Sequence, residues 1–185
     1  MKKSVLLIIL INILCLSNIF GQDKKDSLLY VFYNNKQDSN RINALHQFVK
    51  INYSTPDSAI KYAEFAVEFA KNIESDLWQA KSYNLLAISH YYQGDLIKCK
   101  ENLNQSLFFY NKLKNKSGMA TCYNGLGVVN YDQGKLYEAL QLYIKSLRMK
   151  QKIGDKASIA MTLNNIGNVY KDLNKVEKSL EYYNK

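Results

Sequence analysis

The sequence predicts an all-α fold, a solenoid of αα-hairpins, on three observations. Apolar residues recur at steps of three and four along most of the chain, the period of an amphipathic helix. One proline and eight glycines in 185 residues suit long uninterrupted helices and argue against an all-β fold. The same pair of helices also returns at a forty-residue spacing: Thr121–Leu147 recurs from Met161, and an earlier copy precedes it. A chain of this length holds one domain or a short array, and no linker divides the series. Apolar content of 47% and charged content of 22% are those of a folded chain. The fifteen tyrosines recur at fixed positions and read mainly as packing residues.

Residues 1–21 stand apart from the repeats. Lys2 and Lys3 precede an apolar run from Val5 to Leu16 broken only by Asn12. A membrane-crossing helix needs about 20 apolar residues. The shorter run therefore reads as a secretory signal peptide, cleaved after Gly21 or alternatively after Ser17. An uncleaved anchor is the competing reading. Leu14 is too bulky for the residue before a lipid-modified cysteine, so Cys15 is not assigned that role. Loss of Lys2 and Lys3 lowers the formal charge of +9 by two. Only Arg41 and Arg148 are arginines, and nucleic-acid readers favour arginine for bidentate contacts. The lysines read as a solvated outer face, and no nucleic-acid partner is expected. Cys99 and Cys122 remain on apolar helix faces. Buried free thiols are expected there, with a disulfide as the alternative in an oxidising compartment.

Residues 22–37 make a polar start and a short capping helix, from Asp26 or Ser27 to about Asn35, that shields the first repeat. A helix from about Asp38 to Tyr53 follows, with Ile42, Leu45, Phe48 and Val49 on one side. Ser54-Thr55-Pro56-Asp57 makes a turn, and Pro56 opens the next helix where its missing N–H matters least. Ala59, Tyr62, Ala63, Ala66 and Ala70 form the inner stripe of that helix up to about Ile73. Hairpins then run 76–93 with 95–114, 117–133 with 135–153, and 155–173 with 175–185. Gly94, Gly134 and Asn174 mark their turns, residue types that tolerate a left-handed conformation. The repeats are thus 38–74, degenerate, then 76–114, 117–153 and an incomplete 155–185. In the first, the turn between helices is expected to be one residue shorter than in the others.

Tyr123, Leu126, Gly127, Ala139 and Tyr143 resemble the tetratricopeptide pattern W-x2-L-G-x2-Y…A-x3-F. Leu163, Ile166, Gly167, Tyr170, Ser179 and Tyr183 repeat it, and Tyr83, Leu86, Ala87, Cys99 and Leu103 form an earlier copy. Residues 38–185 therefore resemble the tetratricopeptide repeat family, with a period longer than its usual ~34 residues. HEAT and armadillo repeats reach this length, but they do not demand the Leu-Gly then Ala-x3-Tyr placement. His90 and Asn130 stand where the pattern has Tyr. The resemblance implies a right-handed superhelix in which Gly127 lies where paired helices come closest, with Ala139 across from it and Tyr143 beyond.

Lys152–Leu173 is also similar to repeats in the extracytoplasmic sensor region of certain bacterial histidine kinases. That likeness implies a protein- or peptide-binding module, the N-terminal sensor or interaction region of an exported bacterial signalling protein in the periplasm or on the outer face of the envelope. A stand-alone periplasmic scaffold is the alternative. Lys185 falls short of the end of the last hairpin and leaves Leu180, Tyr182 and Tyr183 uncovered, so a longer protein is expected, with any kinase or other output domain beyond it. Membrane contact would come only through an uncleaved signal or a later helix.

No enzyme and no cofactor are expected in these residues. Gly125-Leu126-Gly127 resembles a dinucleotide fingerprint, but that fingerprint must follow a strand and open a helix, whereas this one falls inside a helix. His46 and His90 are the only histidines and lack metal-ligand spacing. Glu177 and Glu181, four apart on one helix, read as solvated.

In a stack of the tetratricopeptide kind the first helices of successive hairpins line the concave face. Their fifth position is Asn84, Asn124 and Asn164. The ninth and twelfth add Ile88 and Tyr91, Val128 and Tyr131, and Asn168 and Lys171, on one helix face. An asparagine offers donor and acceptor to an extended peptide backbone, and tyrosine adds apolar area with a polar tip. Asn84, Tyr91, Asn124, Tyr131, Asn164 and Asn168 are therefore the candidate peptide contacts. The competing reading has the asparagines bonding neighbouring helices.

Overall fold

The computed structural model describes residues 24–185, helical between short turns; the expected signal segment lies outside them. α1 (24–34) is followed by α2 (Asp38–Ile51), α3 (Pro56–Asn72), α4 (Asp76–Gln93), α5 (Leu96–Lys112), α6 (Lys116–Asp132), α7 (Leu136–Ile153), α8 (Lys156–Asp172) and α9 (Val176–Tyr183). From α2 onward, the principal contacts join helices that follow one another in the chain, together with α2 against α4. This is the pattern of an all-α solenoid, in which each hairpin buries its apolar face on the next.

Side-chain chemistry sets the breaks. Ser75, Asn115 and Asp155, at corresponding places in successive repeats, accept the backbone N–H of Trp78, Gly118 and Ser158 and so cap α4, α6 and α8. Such a cap stabilises a helix end by about 1 kcal/mol. Within hairpins Gly94, Gly134 and Asn174 take left-handed backbone, with φ of 87°, 72° and 55°. Between hairpins Glu74 and Lys114, both at φ 52°, do the same. Neither residue type announces this conformation, which costs about 1–2 kcal/mol for a side chain with Cβ. Here it closes a helix end: Ser75 N–H donates to Ala70 O at 3.1 Å and Asn115 N–H to Tyr110 O at 2.9 Å, satisfying carbonyls the helix leaves open.

The first hairpin departs from expectation. Residues 52–55 separate α2 from α3, where only 94–95 separate α4 from α5, so its turn is longer and not shorter. Asn52 is buried and donates from Nδ2 to Phe48 O at 2.7 Å, while Thr55 Oγ1 donates to Asn52 O at 3.0 Å. These bonds end α2 before Pro56 opens α3. The longer turn moves α2 by one residue against the repeat. Ile42, Leu45, His46 and Val49, all buried, stand where α4 has Tyr83, Leu86, Ala87 and His90.

Helices within a hairpin approach closely where a ring lies on glycine. A Cβ on Gly127 would sit 2.6 Å from the ring of Tyr143, and one on Gly167 would sit 2.3 Å from that of Tyr183. Ala139, fully buried, joins Tyr143, Ile166 and Val169 in one core cluster. Within hairpins, buried serines repeat one bond between the paired helices. Ser106 Oγ donates to Ala80 O at 2.8 Å, and Ser146 Oγ to Ala120 O at 2.7 Å. At the other end α1 packs Phe32 against Ala44, Leu45 and Ala66. Arg41 holds it there: its Nε donates to Phe32 O at 2.9 Å and its guanidinium lies 4.5 Å from the centre of the Phe69 ring. Cys99 and Cys122 are buried free thiols in separate clusters. Burial pushes their pKa up to about 12 and about 11.

Candidate functional site

With α2 in its true register, Asn43, Asn84, Asn124 and Asn164 occupy one position on α2, α4, α6 and α8. Seven residues on, at the same face, stand Lys50, Tyr91, Tyr131 and Lys171. Hollows open between these helices. The first, about 260 Å³, lies between α2 and α4 and is lined by Asn43, His46, Lys50, Trp78, Lys81 and Asn84. The second, about 220 Å³, lies between α4 and α6, with Asn84, Ile88, Tyr91, Asn124 and Val128 over Cys99, Leu103 and Gly125. The third, about 200 Å³, is lined by Tyr91, Val128, Tyr131, Asp132, Asn165 and Asn168. Asn84 belongs to the first two and Tyr91 and Val128 to the second and third, so the three form one trough from α2 to α8.

Of the contacts read from the sequence, Asn84, Tyr91, Asn124, Tyr131 and Asn168 line this trough. Asn164 instead faces a separate hollow toward α9, with Asn168, Tyr182 and Tyr183. Several polar tips are already engaged. Tyr131 donates its hydroxyl to Asp172 Oδ2, and Asp132 stands beside Tyr91 in the third hollow. These neighbouring carboxylates, then burial, push both phenols up to about 12. Asn124 Oδ1 accepts from Thr162 Oγ1 at 3.2 Å, and Asn168 Oδ1 accepts from the Tyr183 hydroxyl at 2.6 Å. The Tyr131 tip therefore ties α6 to α8, leaving its ring to the trough. Both readings of the asparagines meet at Asn124, which lines the trough and bonds a neighbouring helix.

The first hollow is basic. Lys50 and Lys81 line it with no carboxylate among its walls, and Lys81 Nζ lies 4.3 Å from the centre of the Trp78 ring. His46, 5% exposed, places Nε2 2.8 Å from Ser82 Oγ, while Ser82 Oγ donates to Ala66 O at 3.2 Å. Ser82 has one hydroxyl hydrogen, so Nε2 carries the imidazole proton and Nδ1 is left as an acceptor. Burial, reinforced by the charges of Lys50 and Lys81, lowers the His46 pKa to about 3 and keeps the ring neutral.

This hollow was not visible from the forty-residue spacing, because the longer first turn displaces Asn43, His46 and Lys50 by one position. The buried quartet Ile42, Leu45, His46 and Val49 carries the signal that would have corrected the register. Elsewhere, Gly125-Leu126-Gly127 lies inside α6, His90 Nδ1 is 3.4 Å from Gln93 Oε1, and Glu181 pairs with Lys185 at 2.6 Å. Among the described residues no group of His, Cys, Asp or Glu is placed to hold a metal ion, and no helix is long and apolar enough to cross a membrane.

Residues 118–185 match the sequence profile of the tetratricopeptide repeat family. A search of curated protein sequences gives no match. Among solved structures the fold is similar to BtubC (BKLC) from P. vanneervenii, 18% identical with a TM-score of 0.71, covering 87% of this chain and 68% of that one. It is similar to aspartyl phosphate phosphatase F from Bacillus subtilis, 15% identical with a TM-score of 0.76, over 88% of this chain and 42% of that one. A Rap protein complexed with competence and sporulation factor is 15% identical with a TM-score of 0.75, over 80% of this chain and 42% of that one. The chain thus spans less than half the length of the latter two, and at these identities the likeness is one of fold.

Proposed function

We propose, from the tetratricopeptide repeats that the chain carries, that its trough binds an extended peptide segment of a partner protein. The observation that carries this reading is the continuity of the three hollows through Asn84, Tyr91 and Val128. Packed helices lie about 8–10 Å apart, and an extended segment of the polyproline II kind advances about 3.1 Å per residue with side chains three apart on one face. Adjacent hollows are therefore spaced to take side chains about three residues apart. The lining suits such a segment, with Ile88 and Val128 as apolar walls and the Asn84 and Asn124 amides to meet its backbone. That the similar Rap structure is complexed with competence and sporulation factor supports the reading by analogy of fold.

Substitution of Ile88 and Val128 tests it. Both are half-buried at the trough, so the double variant Ile88→Arg, Val128→Arg obstructs the groove without emptying the core. Wild-type protein applied to an array of unrelated peptides is expected to retain a subset, and the double variant, with an unchanged circular dichroism spectrum, to lose it. Binding that survives both arginines would place the site elsewhere and end this reading.

We place the module in the N-terminal sensor or interaction region of an exported bacterial signalling protein. The basic start at Lys2 and Lys3, the apolar run after it and the likeness of Lys152–Leu173 to sensor repeats support this placement. Fractionation of the source cells tests it: protein found in the cytoplasm with residues 1–21 still attached would refute export.

A further inference from the structure

The trough differs from one repeat to the next, and the differences point to a sequence preference in what it holds. In the second hollow the residue after the fifth-position asparagine is Gly125, where α4 has buried Leu85 and α8 has Asn165. A Cβ at Gly125 would already lie 3.0 Å from Leu103 Cδ2, so any longer side chain there would fill the space above Leu103. Glycine keeps a notch open between Ile88 and Val128 down to Leu103 and Cys99. Its volume, about 220 Å³, exceeds the roughly 150 Å³ of an apolar cavity that holds a benzene ring. One aliphatic side chain fits it, and the walls carry no charge.

The neighbouring hollow has the opposite character. Lys50 and Lys81 belong to none of the ion pairs found among the described residues, and the only titratable wall besides them and Tyr110 is neutral His46. Two unpaired ammonium groups beside the donors of Asn43 and Asn84 complement a carboxylate. His46 lines the same hollow, and its Nδ1 adds an acceptor for an N–H of the same ligand. On the other flank Asp132 lines the third hollow beside Tyr91, so no second cationic hollow adjoins the notch.

Resting on the peptide-binding reading above, we propose that the trough selects an extended segment with two anchors. One is a Leu, Ile, Val or Met side chain in the notch over Gly125; the other is an Asp or Glu side chain, about three residues away, between Lys50 and Lys81.

The test uses the full chain and libraries of peptides acetylated and amidated at their ends, randomised at two positions of variable separation. Wild-type protein is expected to enrich an acidic residue with an aliphatic one at a separation of about three. The charge reversal Lys50→Glu, Lys81→Glu is expected to weaken binding of acidic peptides about tenfold or more and to shift selection to Lys or Arg, with the aliphatic preference unchanged. Val128→Phe, which crowds the notch, is expected to cost aliphatic peptides about tenfold while the acidic preference persists. Enrichment of other residue types, or preferences that neither variant moves, overturns the two-anchor assignment while leaving peptide binding in place. Binding only of peptides with a free C-terminal carboxylate also overturns it, because the lysines would then read a chain end. Retention of no peptide at all overturns both readings.

Discussion

Tyr131, on α6, donates its hydroxyl to the carboxylate of Asp172 at the end of α8. The bond joins successive first helices at the edge of the trough. It lies near solvent, so Tyr131→Phe is expected to cost no more than about 1 kcal/mol in urea unfolding. The pH dependence has a definite sign. The phenol is raised from 10.0 to about 12, so its contribution is complete below pH 10 and lost as the pH rises toward 12. Asp172→Asn should bring one tyrosine ionisation back toward 10, read as tyrosinate absorbance against wild type. Superimposable titrations would show that the bond does not form in solution.

Gly127 and Gly167 face equivalent rings but should respond differently to alanine. The new Cβ would meet Tyr143 at 2.6 Å and Tyr183 at 2.3 Å. Tyr143 is 2% exposed and held within the core, whereas Tyr183 is 41% exposed and can turn away. Gly127→Ala is expected to lose about 1–3 kcal/mol of stability by overpacking, and Gly167→Ala less than half of that. Equal losses by chemical denaturation would show that the ring contact does not set the cost.

His46 makes folding sensitive to acid. Its folded pKa, about 3, lies below the 6.5 of a free imidazole, so stability is full above pH 6.5 and declines as the pH falls toward 3. The steepest decline from this group is about 1.4 kcal/mol per pH unit. Imidazole resonances of the two histidines separate the cases: His46 should hold the neutral tautomer with hydrogen on Nε2 down to about pH 4. An inflection near 6.5 for His46 would contradict its burial against Ser82.

Lys150 occupies the place of Tyr110 and Ala70 in earlier repeats and is 6% exposed. Its Nζ donates to Thr162 Oγ1 at 2.7 Å and to Ser158 O at 3.3 Å, but to no carboxylate. Burial lowers its pKa below 10.5, partly opposed by Asp155. The penalty for the buried charge therefore applies in full below the lowered pKa and is relieved as the pH rises toward 10.5. Lys150→Met, which keeps the packing and removes the charge, should leave stability at neutral pH unchanged or raise it by about 1 kcal/mol. It should also flatten the rise in alkali. A loss of more than about 2 kcal/mol would instead assign Lys150 a net stabilising role.

The solenoid was legible because its determinants are local and periodic. Gly127 beneath Tyr143, the caps Ser75, Asn115 and Asp155, and the turns at Gly94 and Gly134 are each set by residues near in sequence. The trough was legible only in part. Asn84, Asn124, Tyr91 and Tyr131 follow from spacing, but the hydrogen-bond partners of Asn124 and Tyr131 lie on the next repeat, and one sequence does not say that Tyr131 is tied to Asp172. Left-handed Glu74 and Lys114 were hidden because the bonds that close the helix ends, not residue preference, impose them. The basic hollow was hidden by a single residue: the longer turn at 52–55 displaces Asn43 and Lys50 from the period that marks their counterparts.

The chain of contacts from each helix to the next has a mechanical consequence. Among the described residues each helix rests chiefly on its neighbours in the chain, so the array resists bending through its hairpin interfaces and the bonds across them, Tyr131 to Asp172 at the trough and Ser82 to Ala66 in the interior. Flexing therefore opens or narrows all three hollows together, as a coil spring changes the gap between its turns. A segment lying along the trough would act as a splint, turning the spring into a beam, so that occupancy at one repeat is felt as stiffness at the others.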